Sequence, residues 1–256
     1  MNKTERQQKI LDYMLCNNKA ATAEELKEIC CVTSETIRKD LIEMEQQKKI
    51  CRVLGGAVLY ERSDERLLQN RYYENLKAKR EIAAAAVKLL HDRDFVCLDS
   101  GSTNLCFSMH FPDVAISVLT NSLNIAQELS QRTNVRVFVA GGELRGKNMS
   151  MTGFATENMV QNYRVRKVFL TSEGVDPDYG VMDAHESESC VKQAMLSIAR
   201  EAYLLADHSK FSVITPICTA SVDKLTAIIT DSEIDPKIVK TYQDAGVRVI
   251  VAEPIK

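Results

Sequence analysis

The sequence has no long apolar run, no surplus of charge of either sign and no paired cysteine motif, and each absence removes a class of function. No apolar stretch approaches the roughly 18 residues of a membrane span, and the opening MNKTERQQKI lacks the apolar core of a secretion signal. These features predict a cytoplasmic protein with no membrane partner. Lys and Arg number 33 against 35 Asp and Glu, a formal net charge of -2. That excludes a uniformly basic nucleic-acid coat protein and leaves a local basic patch open. The cysteines at 16, 30, 31, 51, 97, 106, 190 and 218 form no CxxC pair and no Cys/His cluster at zinc spacing. Several sit in apolar runs, such as Cys97 in FVCLD, where a thiol serves as a small buried hydrophobe in a reducing compartment. No metal and no cofactor is expected. Repeats and low-complexity segments are also missing. What is present is ordinary globular usage, 45% hydrophobic and 27% charged over 256 residues, enough for one large domain or two unequal ones with an unstapled core.

The hydrophobic period changes along the chain. Ile10, Leu11 and Met14 recur at helical spacing, as do Ala23, Leu26, Ile29 and Cys30 within 22–30. After a break at Cys31-Val32-Thr33, Ser34 is placed to cap a third helix with Ile37, Leu41, Ile42 and Met44 inward. Two short apolar runs, 50–54 and 57–59, then flank Gly55-Gly56, a hairpin signal. Three short helices and a hairpin predict a winged helix-turn-helix over 1–59. Residues 60–76, charged and weakly periodic, read as a linker. From 77 to 256, helical stretches alternate with unbroken apolar runs at 95–99, 115–120, 135–141, 167–172, 202–207, 227–231 and 247–252. Strands buried on both faces look like this, so the larger domain is expected to be α/β with a mostly parallel sheet.

A helix that enters a major groove needs short polar or cationic side chains at its start and Arg or Lys beyond them. The third helix offers Thr33, Ser34, Glu35 and Thr36, then Arg38 and Lys39; Lys48, Lys49 and Arg52 carry the positive stripe into the wing. These are the candidate DNA-binding residues, and double-stranded operator DNA the candidate partner. Residues 1–62 nevertheless hold 11 Lys and Arg against 10 Asp and Glu, and on charge alone a solvated helix face is the favoured reading of such a run. The wording of the segments adds to this. ERQQKIL at 5–11, AEELKEICCVTSETIRKDLIEME at 23–45 and ICRVLGGAVL at 50–59 resemble the DeoR family of bacterial transcriptional repressors. Lys39 stands where that family usually has a second Arg, keeping the charge but losing the bidentate fork.

In the larger domain, Asp99-Ser100-Gly101-Ser102-Thr103-Asn104 follows the strand FVCLD and precedes a helical run. Backbone N–H groups and the positive end of a helix dipole meet there, which suits an anion such as phosphate; a plain turn with Ser102 or Thr103 as helix cap is the bland alternative. Further polar clusters stand at strand ends: Thr120-Asn121-Ser122, Gly141-Gly142, Glu173 to Asp176, and Asp207 to Lys210. Ligand groups gather at the carboxyl ends of parallel strands. The same blocks, with Arg71, Lys79, GGELR, MTGFA and AMLSIA, are similar to the sugar-phosphate sensor half of the DeoR family. The resemblance spans nearly the whole chain. It implies a sensor with a fold like ribose-5-phosphate isomerase and a phosphorylated sugar or polyol as effector. Carried over by position, Ser100, Gly101, Ser102 and Thr103 cradle the phosphate and Lys210 adds charge. Asp99, Asn121, Glu173, Asp176 and Lys192 then face the sugar, with Gly141 and Gly142 among the candidate effector-binding positions. Arg93 stands where the family often has Gly, and Glu173 where small residues are common.

An isomerase fused to a DNA-binding domain is the competing reading. Such isomerases carry a Glu directly before a Lys on the helix that borders the site, but here Val191 precedes Lys192. The expected general base is absent, and Glu186 or Glu188 would aim a carboxylate from another place. No catalytic residue is therefore assigned, and a cysteine redox switch ranks below both readings. A homo-oligomer is expected, because one helix-turn-helix reads only a half-site.

Overall fold

The structure is a computed structural model, which describes residues 3–16, 20–46, 49–53, 56–59 and 68–255. The chain divides into two compact units, Met1–Asp64 with Val213–Pro216 and Glu65–Ser212 with Ile217–Lys256.

In the first unit α1 (Lys3–Cys16), β1 (Ala20–Thr22), α2 (Ala23–Cys30) and α3 (Ser34–Gln46) precede a two-stranded wing, β2 (Ile50–Val53) and β3 (Gly56–Leu59). Ile10, Met14, Leu26, Ile37, Met44 and Ile50 are wholly buried together, as their helical spacing requires. A capping box starts α2: Glu25 N–H donates to Thr22 Oγ1 at 3.2 Å, while the Glu25 carboxylate accepts from Thr22 N at 2.7 Å. Cys31 ends that helix in the left-handed region, φ 52. The cap of α3 is Thr33 rather than Ser34, because Thr36 N–H donates to Thr33 Oγ1 and Ser34 already lies inside the helix. Strand β1 was not legible in the pattern, since three residues carry no period. It pairs antiparallel with β3, and a Cβ at Gly56 would lie 2.3 Å from the Ala21 carbonyl oxygen, so this position of the wing needs glycine. Leu54, Gly55 and Lys48 lie outside the described residues.

The second unit opens with α4 (Leu68–Tyr73) and α5 (Leu76–Val87). The described part of the expected linker is therefore helical, with Leu68 buried, and residues 60–67 lie outside the described residues. There follow β4 (Phe95–Leu98), α6 (Ser102–Met109), β5 (Ile116–Thr120), α7 (Leu123–Ser130), β6 (Val135–Val139), β7 (Glu143–Arg145), β8 (Ser150–Thr152) and α8 (Phe154–Gln161). The chain continues through β9 (Val165–Leu170), β10 (Gly174–Asp176), β11 (Gly180–Asp183), α9 (Glu186–Ser197), β12 (Ala199–Leu205), β13 (Ile217–Ala220), β14 (Ala227–Thr230), α10 (Pro236–Asp244) and β15 (Val249–Val251). Seven strands form a wholly parallel sheet in the order β15-β14-β12-β9-β4-β5-β6. Alternate residues feed two cores. Cys97, Val168, Leu170 and Ile228 pack on one face, and Val96, Leu98, Phe169 and Ile229 on the other. Two smaller antiparallel sheets, β7-β8 and β10-β11-β13, stand beside it. Arg93 has φ 62, a left-handed conformation that glycine takes without cost. Among the described residues, no helix is long and apolar enough to cross a membrane.

Candidate functional site

The order of strands places the site. Chain growth runs outward from β4 through β5 to β6, then returns to the other side of β4 with β9 and continues to β12, β14 and β15. Strand order thus reverses between β4 and β9, and in an open parallel sheet the crevice beyond the carboxyl ends of such strands is where ligands bind. The turn after β4 carries Asp99, Ser100 and Gly101; the turn after β9 carries Thr171, Ser172 and Glu173. They close on each other so tightly that a Cβ on Gly101 would lie 2.0 Å from Thr171 Oγ1. Gly101→Ala is expected to force the two turns apart and cost about 1–3 kcal/mol, the usual range for overpacking. A thermal midpoint equal to the parent's would contradict that reading.

A cavity opens at this point, lined by both turns, by Arg71 of α4, by Arg145 and Asn148 of the β7-β8 hairpin, and by Asp183, His185, Glu188 and Lys192 at the end of β11 and along α9. Of the residues expected to hold the effector, Ser100, Gly101, Glu173 and Lys192 line it. Ser102 and Thr103 are buried in the first turn of α6, next to the lining. Lys210, partly exposed, lies close enough to act on the charge of Glu173. The others do not line the cavity. Asp99 spends its carboxylate on Thr171 N at 2.9 Å and Asn104 Nδ2 at 2.6 Å, so it fastens the turns instead of facing the cavity. Asn121 donates to the Met151 carbonyl at 2.9 Å. Asp176 accepts from the backbone N–H groups of Asp178 and Tyr179 inside the β10-β11 hairpin. Gly142 stands where a Cβ would lie 2.0 Å from Thr156 Oγ1, and Gly141 offers its carbonyl to that same hydroxyl.

Two charge networks face the cavity. Lys192 is ion-paired with Asp183, reaches Asp99 at 3.4 Å and donates to the Thr171 carbonyl at 2.8 Å. Burial works against its charge, but Asp183, Asp99 and Glu188 outweigh burial and raise its pKa. Glu188 accepts from Ser150 Oγ at 2.6 Å, Asn148 Nδ2 at 2.9 Å and Arg145 Nη1 at 3.0 Å. Its burial would raise the carboxyl pKa; Lys192 and the hydrogen bonds from Ser150 and Asn148 more than reverse this and hold it low. Glu173 is likewise held low, burial being outweighed by Lys210, Arg71 and Lys192. A carboxylate such as that of Glu188, which accepts from four side chains including Ser100 and is held below its ordinary pKa, is a poor proton acceptor. Sequence reasoning did not assign Arg71, Arg145, Asn148, Thr171, Ser172, Asp183, His185 or Glu188 to the site. For Glu188 a signal existed: it stands four residues before Lys192, on the same face of one helix.

In the first unit, Ser34 and Glu35 are exposed at the start of α3, Thr36 is half-buried, and Arg38 and Lys39 are exposed one turn on. Glu35 and Lys39 approach at 3.8 Å, while Arg38 makes no ion pair among the described residues. Lys49 is exposed ahead of the wing; Arg52, also exposed, is 3.8 Å from Glu45. Behind α3, Asp40 is buried and takes both Nε and Nη2 of Arg6 at 2.5 and 3.1 Å, which ties the helix to α1.

Residues 6–63 match the DeoR-like helix-turn-helix domain, and residues 74–232 match the DeoR C-terminal sensor domain. The chain belongs to the DeoR family. Relatives align over nearly their full lengths. The HTH-type transcriptional regulator YulB of Bacillus subtilis is 34% identical over 96% of this chain and 95% of its own. The HTH-type transcriptional repressor GlcR of the same species is 30% identical over 99% and 98%, and the L-fucose operon activator of Haemophilus influenzae 29% over 96% and 99%. As a DeoR-family member the protein is a transcriptional regulator that couples a DNA-binding unit to a sensor domain. Ribose 5-phosphate isomerase A from Methanocaldococcus jannaschii overlaps 53% of this chain and 54% of its own at 17% identity, with a TM-score of 0.40, too slight a likeness to build on.

Proposed function

We propose that the protein binds operator DNA through α3 and the wing, as a repressor of a carbohydrate-metabolism operon, and that a phosphorylated sugar or polyol in the switch-point cavity sets its DNA affinity. The observation that carries the effector reading is a cavity built of fixed charges with unmet hydrogen-bonding capacity. Arg71, Arg145 and Lys192 bring three cations to it, and Ser172 Oγ and Arg71 Nε are buried with no partner among the described residues. Buried polar atoms left unpaired cost about 1–3 kcal/mol each, so a ligand that pairs them recovers that free energy on binding. The exposed hydroxyls of such a ligand fit Glu173, and its anion fits the cations and the first turn of α6. The regulator acts in the cytoplasm, where the operator is, and as a homo-oligomer whose paired helix-turn-helix units span two half-sites.

A thermal-shift panel of phosphorylated sugars tests the effector. A ligand at 100 times its Kd stabilises the fold by about 2.7 kcal/mol, and a panel without any shift would count against the sensor reading. DNA contacts are tested by substitution. Arg38→Ala is expected to weaken specific binding by about 1–3 kcal/mol if the side chain reads a base, while Lys49→Ala weakens all sequences alike and flattens the salt dependence. Unchanged affinity in both, measured by fluorescence anisotropy, would remove α3 and the wing from the interface.

The protein is proposed to sense and not to catalyse. Glu188, the carboxylate nearest in place to an isomerase base, has its oxygens occupied by Ser150, Asn148, Arg145 and Ser100 and its pKa held low. No interconversion of ribose 5-phosphate and ribulose 5-phosphate is expected. Turnover on the order of 1 per second or faster would overturn this.

A further inference from the structure

Helix α4 reaches the cavity although it is the first described element after the DNA-binding unit. Only three residues separate Leu68 from Asp64, the last residue of the amino-terminal segment of the first unit. Hydrogen bonds made by three residues help to hold the helix, together with Tyr72, which packs on the core and donates its hydroxyl to Met109 Sδ at 3.2 Å. Leu68 N–H donates to the Lys147 carbonyl at 3.0 Å. Arg71 Nη1 donates to Glu173 Oε1 at 3.1 Å, and Nη2 to Asn148 Oδ1. At its carboxyl end, the buried Lys79 ammonium from α5 donates to the carbonyls of Arg71 and Glu74. The Arg71 guanidinium is thus both a wall of the cavity and the side chain that fastens α4 to it, with Nε still unpaired.

Glu173 supplies the anion for that guanidinium within the protein itself. A phosphate carries more charge than a carboxylate and offers oxygens in the spacing of the guanidinium fork, so it competes for Arg71 on favourable terms. We propose that Arg71 is an effector-binding residue and the one through which occupancy of the cavity is passed to the DNA-binding unit: the effector's anionic group takes Arg71 from Glu173 and Asn148, and α4 shifts with it. A ligand alters DNA affinity only through contacts that differ between two states, and the Arg71 pairing is such a contact at the chain's entry to the sensor. The inference rests on the reading that a phosphorylated sugar binds in this cavity.

The absence of tryptophan makes the test direct. Tyr73, 73% exposed on α4, is replaced by Trp in the full chain, giving a single indole on the helix. This variant is titrated with D-fructose 6-phosphate, D-ribose 5-phosphate and glycerol 3-phosphate, recording thermal midpoint and indole emission. At least one probe is expected to raise the midpoint and shift the emission together. Adding Arg71→Gln should lower affinity for that probe at least tenfold and move the emission of the free protein, leaving little further change on titration. Arg71→Lys, which keeps the charge, serves as the folding control and should respond with reduced affinity. A midpoint that rises while the emission stays fixed would overturn the role of Arg71 and α4 and leave the cavity as the binding site. A midpoint that does not rise with any probe would overturn the effector reading and this inference with it.

Discussion

Lys192→Met is expected to lower the stability of the sensor unit by about 3–5 kcal/mol, the range for removing one partner of a buried ion pair. The methionine fills a similar volume, so packing changes little. What changes is charge: Asp183 loses its ion-pair partner, Asp99 loses a cation at 3.4 Å, and both side chains are buried. The turn after β9 also loses its tie to α9, since Lys192 donates to the Thr171 carbonyl. Urea denaturation measures the loss. The double variant Lys192→Met with Asp183→Asn should recover part of it, because one uncompensated charge has gone; equal stability of single variant and parent would mean that solvent reaches this pair freely.

Asp40→Ala comes next in size, at about 3 kcal/mol in the DNA-binding unit, with a larger consequence for function. Asp40 is buried and takes two hydrogen bonds from Arg6, joining α3 to α1 from the side away from solvent. Without it the arginine is left beside an apolar core, and α3 loses the contact that sets its orientation. DNA affinity is then expected to fall although no DNA-facing side chain has changed. Replacing both partners by apolar residues, Arg6→Met with Asp40→Leu, should restore much of the stability, since well-packed hydrophobes commonly equal or exceed a buried pair. Full DNA affinity in Asp40→Ala, by fluorescence anisotropy, would show that the pair does not orient the helix.

Much of this is legible in the chain itself. The helical spacing of Ile10, Met14, Leu26, Ile37 and Met44 marked the first unit, and the seven apolar runs named the seven strands of the parallel sheet, because one period or one unbroken run is a local property. The elements that escaped were short or weakly patterned. Strands β1, β7, β8, β10, β11 and β13 are of three or four residues and α4 of six, too brief for a period to stand out from chance, and the pattern does not pick out α8 either.

The site divides in the same way. Ser100, Gly101, Glu173 and Lys192 were named from the sequence because a strand end followed by small polar residues, or a family motif, announces them in place. Asp99 and Asn121 carried the same signal, and in the structure they hydrogen-bond the neighbouring turns and do not line the cavity, a difference that residue type alone does not reveal. Glu188 with Arg145, Asn148 and Ser150 was decided only by the tertiary structure. These partners lie 43, 40 and 38 residues away along the chain, and no local pattern joins a hairpin beside the sheet to the start of a helix after it. The sequence by itself determined the two units, the parallel sheet and the family, since each is written in short-range periodicity and contiguous motifs. The tertiary structure alone decided which charges meet, because the reversal of strand order between β4 and β9 brings distant segments to one crevice, and only there do burial and pairing fix what each side chain does.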